Sequence, residues 1–160
     1  MTMVAGKFFV LSVVLSIANL TVADLPPRGI CAHRGDRGAC PENTVPAFVS
    51  AARKGAAMVE FDVKRCKSGE LVVLHDATVD RTTDGTGRIE EMTFAELRKL
   101  DAGVRFGRSF AGTRIPTFDE AIDCLPKDGI WINVHCGGGK GVSAEVARKI
   151  REKGRLAQAF

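Results

Sequence analysis

Short apolar runs that end in histidine punctuate this chain. Gly29-Ile30-Cys31-Ala32-His33, Leu71-Val72-Val73-Leu74-His75 and Ile130-Trp131-Ile132-Asn133-Val134-His135 each carry one of its three histidines at the last position. Apolar runs of this length predict β-strands. A fourth run, Met58-Val59-Glu60-Phe61-Asp62-Val63, places carboxylates at i and i+2, and alternate side chains of a strand share a face. Between the first and fourth runs, Val45, Phe48, Val49 and Ala52 follow helical spacing. Asn43 or Thr44 is placed to cap that helix, Arg53 and Lys54 suit its C-terminus, and Gly55 stops it. Strand, helix and strand of this length predict a βαβ unit with parallel strands and a right-handed crossover.

The next strand must run the other way. Only eight residues separate Asp62 from Leu71, whereas a parallel crossover needs about a dozen. Residues 63–75 therefore read as a hairpin turning at Lys67-Ser68-Gly69-Glu70, which returns His75 to the level of Glu60 and Asp62. A polar loop, 80–87, follows and reads as structural. Two helices then open with Thr-x-x-Glu capping boxes, Thr93 with Glu96 and Thr117 with Glu120. Their apolar faces are Phe94, Leu97 and Leu100, then Phe118, Ala121, Ile122 and Leu125, and Pro126 ends the second. The strand at 130–135 puts Trp131, Asn133 and His135 on one face. A last helix from about Val142 to Lys153 buries Val142, Val146, Ala147 and Ile150, and Gly154 ends it. Residues 156–160 read as the start of another strand.

Composition narrows the class. The chain has 160 residues, a formal charge of +4, 26% charged and 45% hydrophobic positions, which suits one modest domain with a real core. Aromatics make up 6%, and with no basic stripe or aromatic platform the sequence argues against nucleic acid. The basic excess favours anionic substrates in general. Residues 1–23 read as a secretory signal: Lys7 is the positive start, 8–18 the apolar core, and Thr21-Val22-Ala23 the cleavage site. The apolar stretch is short of the roughly 20 residues of a membrane span, with an uncleaved anchor as the alternative. The expectation is a secreted or periplasmic protein whose folded part is 24–160 and which keeps no stable span after cleavage. The five cysteines show no metal-type spacing. Cys31, in mid-strand, is expected to be a small buried hydrophobe, and Cys40 and Cys66, both in loops, allow a bridge.

Histidines and a carboxylate pair gathered at strand ends point to metal-assisted acid–base chemistry. Unpaired acids are costly in buried strands, so Glu60 and Asp62 need a cation. Divalent metals fit their hard oxygens, and Arg34 or Arg81 is the alternative partner. A divalent cation held there lowers the pKa of a bound hydroxyl and offsets charge that develops on a reacting oxygen. Imidazoles, titrating near neutral pH, can split the two proton transfers. Arg34 can grip an oxyanion with two parallel bonds.

The ordered elements His33-Arg34-Gly35, Pro41-Glu42-Asn43-Thr44, Glu60-Phe61-Asp62-Val63, His75-Asp76, Asp80-Arg81-Thr82-Thr83, Gly85-Thr86-Gly87 and Ile115-Pro116-Thr117 resemble the glycerophosphodiester phosphodiesterase family. That family lies within the wider phosphatidylinositol-phospholipase-C-like barrel group. The resemblance runs from about Ile30 to Ile150. It implies an α/β fold, a (β/α)₈ TIM barrel with its site at the C-terminal strand ends. It also implies His33 and His75 as the acid–base pair, Glu60 and Asp62 as metal ligands, and Arg34 as the phosphate contact. The implied substrates are glycerophosphodiesters such as glycerophosphocholine, giving sn-glycerol 3-phosphate and an alcohol. Glu42 reads as a supporting or helix-start acid.

Two departures from the family pattern stand out. Where the family carries an Asn-x-Glu-x-Lys-like strand, this chain has Asn133-Val134-His135-Cys136-Gly137. His135 then becomes the third metal ligand, and Lys140 is the candidate to replace the missing lysine. Carboxylates favour Ca²⁺ or Mg²⁺, while an imidazole admits Mn²⁺ or Zn²⁺. The second departure is length, since a typical barrel takes about 250 residues. Three complete barrel strands plus a hairpin excursion are expected here, the N-terminal part of a barrel with an open sheet edge, from a truncated product or one half of something that pairs. A phospholipase-D-like enzyme acting on sphingolipid or lysolipid head groups is the competing enzyme reading, less well matched by Asp-Arg-Thr-Thr and Ile-Pro-Thr. A non-catalytic fragment is the third.

Overall fold

The computed structural model describes residues 28–137 and 139–160, so the signal-sequence reading lies outside the described residues. Four strands form one sheet: β1 (Cys31–His33), β2 (Met58–Arg65), β3 (Leu71–Val73) and β4 (Trp131–Cys136). The helices are α1 (Val45–Arg53), α2 (Phe94–Leu97), α3 (Phe118–Asp123) and α4 (Val142–Glu152). β1 and β4 run parallel to β2, with His33 opposite Glu60, Glu60 opposite Asn133, and Asp62 opposite His135. β3 returns antiparallel along the C-terminal half of β2, pairing Val63 with Val73 and Arg65 with Leu71. Beyond α4, Ala159 pairs in parallel with Ile132, and Ile132 N–H donates to Gln158 O at 2.7 Å. A further parallel strand thus begins beside β4. Three parallel strands with outer helices and one antiparallel excursion make the N-terminal part of a (β/α)₈ barrel.

The alternation in β2 separates packing from chemistry. Val59, Phe61 and Val63 are fully buried and pack with Ile132, Phe48, Phe118, Ile122, Val146 and Ile150. Phe61 stands between Phe48 and Phe118, with ring centroids 5.2 and 6.2 Å away. Glu60 and Asp62 point to the opposite face, which a barrel encloses. The excursion between β2 and α3 has its own core of Val72, Leu74, Val79, Ile89, Leu97 and Ile115. Both capping boxes form as the sequence predicts, on Thr93 and on Thr117. Among the described residues, no helix is long and apolar enough to cross a membrane.

Several local expectations need correction. Neither Asn43 nor Thr44 caps α1 with its side chain: Thr44 occupies the N-cap position, but its hydroxyl donates to Pro41 O at 2.6 Å. The helix buries Ala47, Phe48 and Ala51, rotated from the predicted face, because its small residues let it approach the turn that follows β1. A Cβ on Gly35 would lie 2.8 Å from Ala47 Cβ, a separation only glycine permits. Cys31 is exposed, since β1 pairs with β2 alone among the described residues. Cys40 and Cys66 are buried but unbridged; the Cys66 thiol donates instead to Glu70 at 3.2 Å. Ala147 is exposed, so the buried stripe of α4 narrows to Val142, Val146 and Ile150.

Candidate active site

β1 ends by turning sharply over the sheet. Arg34 and Gly35 are both left-handed, with φ of 61° and 78°, a conformation that costs a non-glycine residue energy and clusters at functional sites. The turn aims the Arg34 backbone N–H at Glu60 Oε2, 2.9 Å away. His33 Nε2 lies 3.8 Å from the same oxygen. Two residues along β2, Asp62 is almost fully buried and its carboxylate finds polar partners on both oxygens. Its Oδ1 faces His135 Nδ1 at 2.8 Å, and its Oδ2 accepts from Asn43 Nδ2 at 2.9 Å. The Asp62 N–H returns to Asn43 Oδ1 at 3.3 Å, and Arg34 Nε lies 3.6 Å from Oδ2. That Nε is buried without a hydrogen-bond partner.

From here a chain of ion pairs leads to His75. Arg34 donates to Glu42 at 3.1 Å, and Arg81 grips the same carboxylate with two nitrogens at 2.9 and 2.7 Å. Arg81 Nε also donates to Asp76 at 2.7 Å, and Asp76 Oδ1 lies 2.7 Å from His75 Nδ1. The Leu74 N–H donates to Asp62 O at 3.0 Å, so the hairpin returns His75 to the level of the carboxylates, as its length predicted. The Arg81 guanidinium, with a smaller contribution from His75, holds the Asp76 carboxyl down at about 2. Arg81, then Arg34, keep Glu42 below the usual carboxylate range against the opposing effect of burial. With Nδ1 engaged by Asp76, the His75 ring is held in one orientation and its Nε2 is the nitrogen left to exchange a proton.

The structure thus gathers His33, Arg34, Glu60, Asp62 and His135 directly and joins His75 to them through three intervening side chains. Arg34, not Arg81, is the arginine beside Asp62; Arg81 serves Glu42 and Asp76. Glu60, Asp62 and His135 each offer a ligand atom within 4.8 Å of the others. Two carboxylates and an imidazole at that spacing suit a divalent cation. The charge balance agrees: in the connected network four carboxylates (Glu42, Glu60, Asp62, Asp76) meet two guanidiniums, Arg34 and Arg81. A cleft of about 420 Å³, lined by Arg37, Glu42, Arg81, Arg105 and Phe106, opens beside the Glu42–Arg81 pair.

Sequence reading missed Asn43 as the partner of Asp62. A helix-capping role explained the same residue; its two hydrogen bonds to Asp62 and its φ of 56°, which asparagine tolerates better than most side chains, distinguish the two roles. Asp76 as the orienting partner of His75 was legible only as an adjacent acid.

Comparison with known proteins fits this geometry. Residues 33–152 match the model of the glycerophosphoryl diester phosphodiesterase family. A glycerophosphodiester phosphodiesterase of Caldanaerobacter subterraneus is 42% identical over 127 residues, covering 77% of this chain and 52% of its own length. Human glycerophosphodiester phosphodiesterase 1 is 41% identical over 133 residues, 77% of this chain and 40% of that protein. Among solved structures, a glycerophosphodiester phosphodiesterase from Agrobacterium tumefaciens superposes with a TM-score of 0.77 at 35% identity, covering 82% of this chain and 56% of that one. An Oleispira antarctica phosphodiesterase, in complex with the product sn-glycerol-3-phosphate, gives 0.70 at 36% identity over 78% of this chain and 51% of that one. The chain spans about half the length of these relatives. With residues 33–152 matched to that model, the chain belongs to the glycerophosphoryl diester phosphodiesterase family.

Proposed function

We propose that this protein hydrolyses glycerophosphodiesters to sn-glycerol 3-phosphate and an alcohol, with a divalent cation and two histidines. The observation that carries the reading is the convergence of Glu60, Asp62 and His135 within 4.8 Å, on the face where His33 stands 3.8 Å from Glu60. Glu60, Asp62 and His135 are the residues that would hold the cation. Bound there, it would draw charge from the phosphoryl oxygens and lower the pKa of an attacking hydroxyl.

The chain's own groups account for the rest. His33, beside the carboxylates, is placed to exchange a proton with one reacting oxygen. His75, oriented by Asp76, is placed to exchange one with the other, so the alcohol leaves protonated. Arg34 adds positive charge under the phosphate while bracing Asp62 and Glu42. The cleft beside Arg81 is the natural place for the alcohol moiety. Residues 1–23 support an exported protein, secreted or periplasmic, with 24–160 as its partial phosphodiesterase domain.

Release of sn-glycerol 3-phosphate from glycerophosphocholine and glycerophosphoglycerol by the purified protein tests the reading, with Ca²⁺ or Mg²⁺ present and then with a chelator. Turnover that requires the cation supports it. Absence of turnover on both diesters at saturating cation would overturn it.

A further inference from the structure

One cation on the site face has no carboxylate partner. Lys64 continues the alternation of Glu60 and Asp62 along β2, so it projects from the same face one step further toward the strand end. It is half-buried, and among the described residues it makes no ion pair. Its neighbour across the sheet is Gly137: the pairing of Val63 with Cys136 extends one step, and the Gly137 N–H donates to Val63 O at 2.9 Å. A Cβ built on Gly137 would lie 2.8 Å from Lys64 Nζ. The ammonium therefore occupies the space left by the missing side chain, directly above the Asp62–His135 pair.

The other cation of this face is already engaged. Arg34 donates to Glu42 at 3.1 Å and lies 3.6 Å from Asp62, with 13% of its side chain exposed. A phosphodiester arriving beside Glu60 and Asp62 meets two carboxylates that would already offset the charge of a divalent cation, and needs a further positive group not neutralised by an acid. An ammonium on a flexible four-carbon stem, with three free donors, suits that task.

We propose that Lys64 binds the phosphate of the substrate from β2, through the gap that Gly137 leaves in β4. The proposal rests on the hydrolytic reading above and adds a substrate contact to it. A charged hydrogen bond of this kind supports about a 10- to 100-fold change in affinity.

The test uses Lys64→Met, Lys64→Arg and the double variant Lys64→Met/Gly137→Lys, which returns an ammonium from the opposite strand. Calorimetric binding of sn-glycerol 3-phosphate and of inorganic phosphate is measured beside kcat and KM for glycerophosphoglycerol. Lys64→Met is expected to weaken both anions about tenfold or more and to lower kcat/KM, with the melting temperature and Ca²⁺ binding retained. Lys64→Arg should keep most of the affinity, and the double variant should recover part of it. Unchanged anion affinity in Lys64→Met would overturn the proposal, as would equal loss in Lys64→Arg together with no recovery in the double variant. Calorimetry needs no turnover, so a protein that binds phosphate through Lys64 yet cleaves no diester would refute the hydrolytic reading alone.

Discussion

His135 Nδ1 and Asp62 Oδ1 lie 2.8 Å apart, across directly paired positions of β4 and β2. The imidazole is therefore already bound to the acid it would share a cation with. Its other nitrogen, Nε2, is the one left free to ligate. This makes the site softer and one negative charge poorer than a site with a third carboxylate.

Replacing that imidazole by a carboxylate gives the first prediction. His135→Glu is expected to bind Ca²⁺ more tightly than the natural protein, while Mn²⁺ gains less, because carboxylate favours the harder ion. Affinity in the natural protein should also fall as the pH drops, since a ligating histidine must be neutral. Calorimetric titration of both proteins with Ca²⁺ and Mn²⁺ at two pH values checks this. Equal Ca²⁺ affinity in the two would remove His135 from the ligand set and leave it as a partner of Asp62.

Asn43 carries the second prediction. Its amide exchanges two hydrogen bonds with the buried Asp62, at 2.9 and 3.3 Å. Asn43→Ala leaves that carboxylate short of a partner and should cost about 1–3 kcal/mol. Asn43→Gly loses the same bonds but relieves the left-handed backbone, so it should cost less. Chemical denaturation of the three proteins ranks them, and an Asn43→Gly protein more stable than the natural one would mean that backbone strain outweighs the hydrogen bonds here.

Much of this was legible in the sequence because strands report themselves through period and length. The eight-residue gap before Leu71 required an antiparallel return, and the returned hairpin is what brings His75 level with Asp62. The alternation Glu60, Asp62 fixed which face carries chemistry, and both threonine capping boxes formed where their spacing put them. What escaped was whatever depends on which partner a polar side chain finds across the fold. Asn43 bonds Asp62 instead of the helix, Arg81 bonds Glu42 and Asp76 instead of the β2 acids, and Lys140 is exposed while Lys64 fills the space beside Gly137. Burial of Cys31 failed for a related reason, because a run of apolar letters does not say how many neighbours its strand acquires.

The Asp76–Arg81 pair yields an acid-stability prediction. Asp76 titrates at about 2 in the folded protein against an ordinary 3.8, with Arg81 the largest cause. A carboxylate whose folded pKa is depressed stabilises the fold fully above its unfolded value and loses that contribution as pH falls through its folded one. Glu42 is shifted the same way by the same guanidinium. Arg81→Gln should thus be destabilised at pH 5–7, modestly, about 1 kcal/mol, because these groups are partly exposed. The gap between the two proteins should close between about pH 4 and pH 2. Thermal melts across pH 2–7 check it, and a gap that stays constant down to pH 2 would contradict the assignment.

The central claim is that His75 moves a proton for a cation held elsewhere, by Glu60, Asp62 and His135. It is tested most directly by measuring sn-glycerol 3-phosphate release from glycerophosphoglycerol by the natural protein and by His75→Ala, with Ca²⁺ affinity measured on the same samples. The account predicts cation-dependent turnover that falls about 10²- to 10⁴-fold in His75→Ala while Ca²⁺ affinity stays nearly unchanged. Full turnover in His75→Ala, or loss of Ca²⁺ affinity with turnover retained, would contradict it.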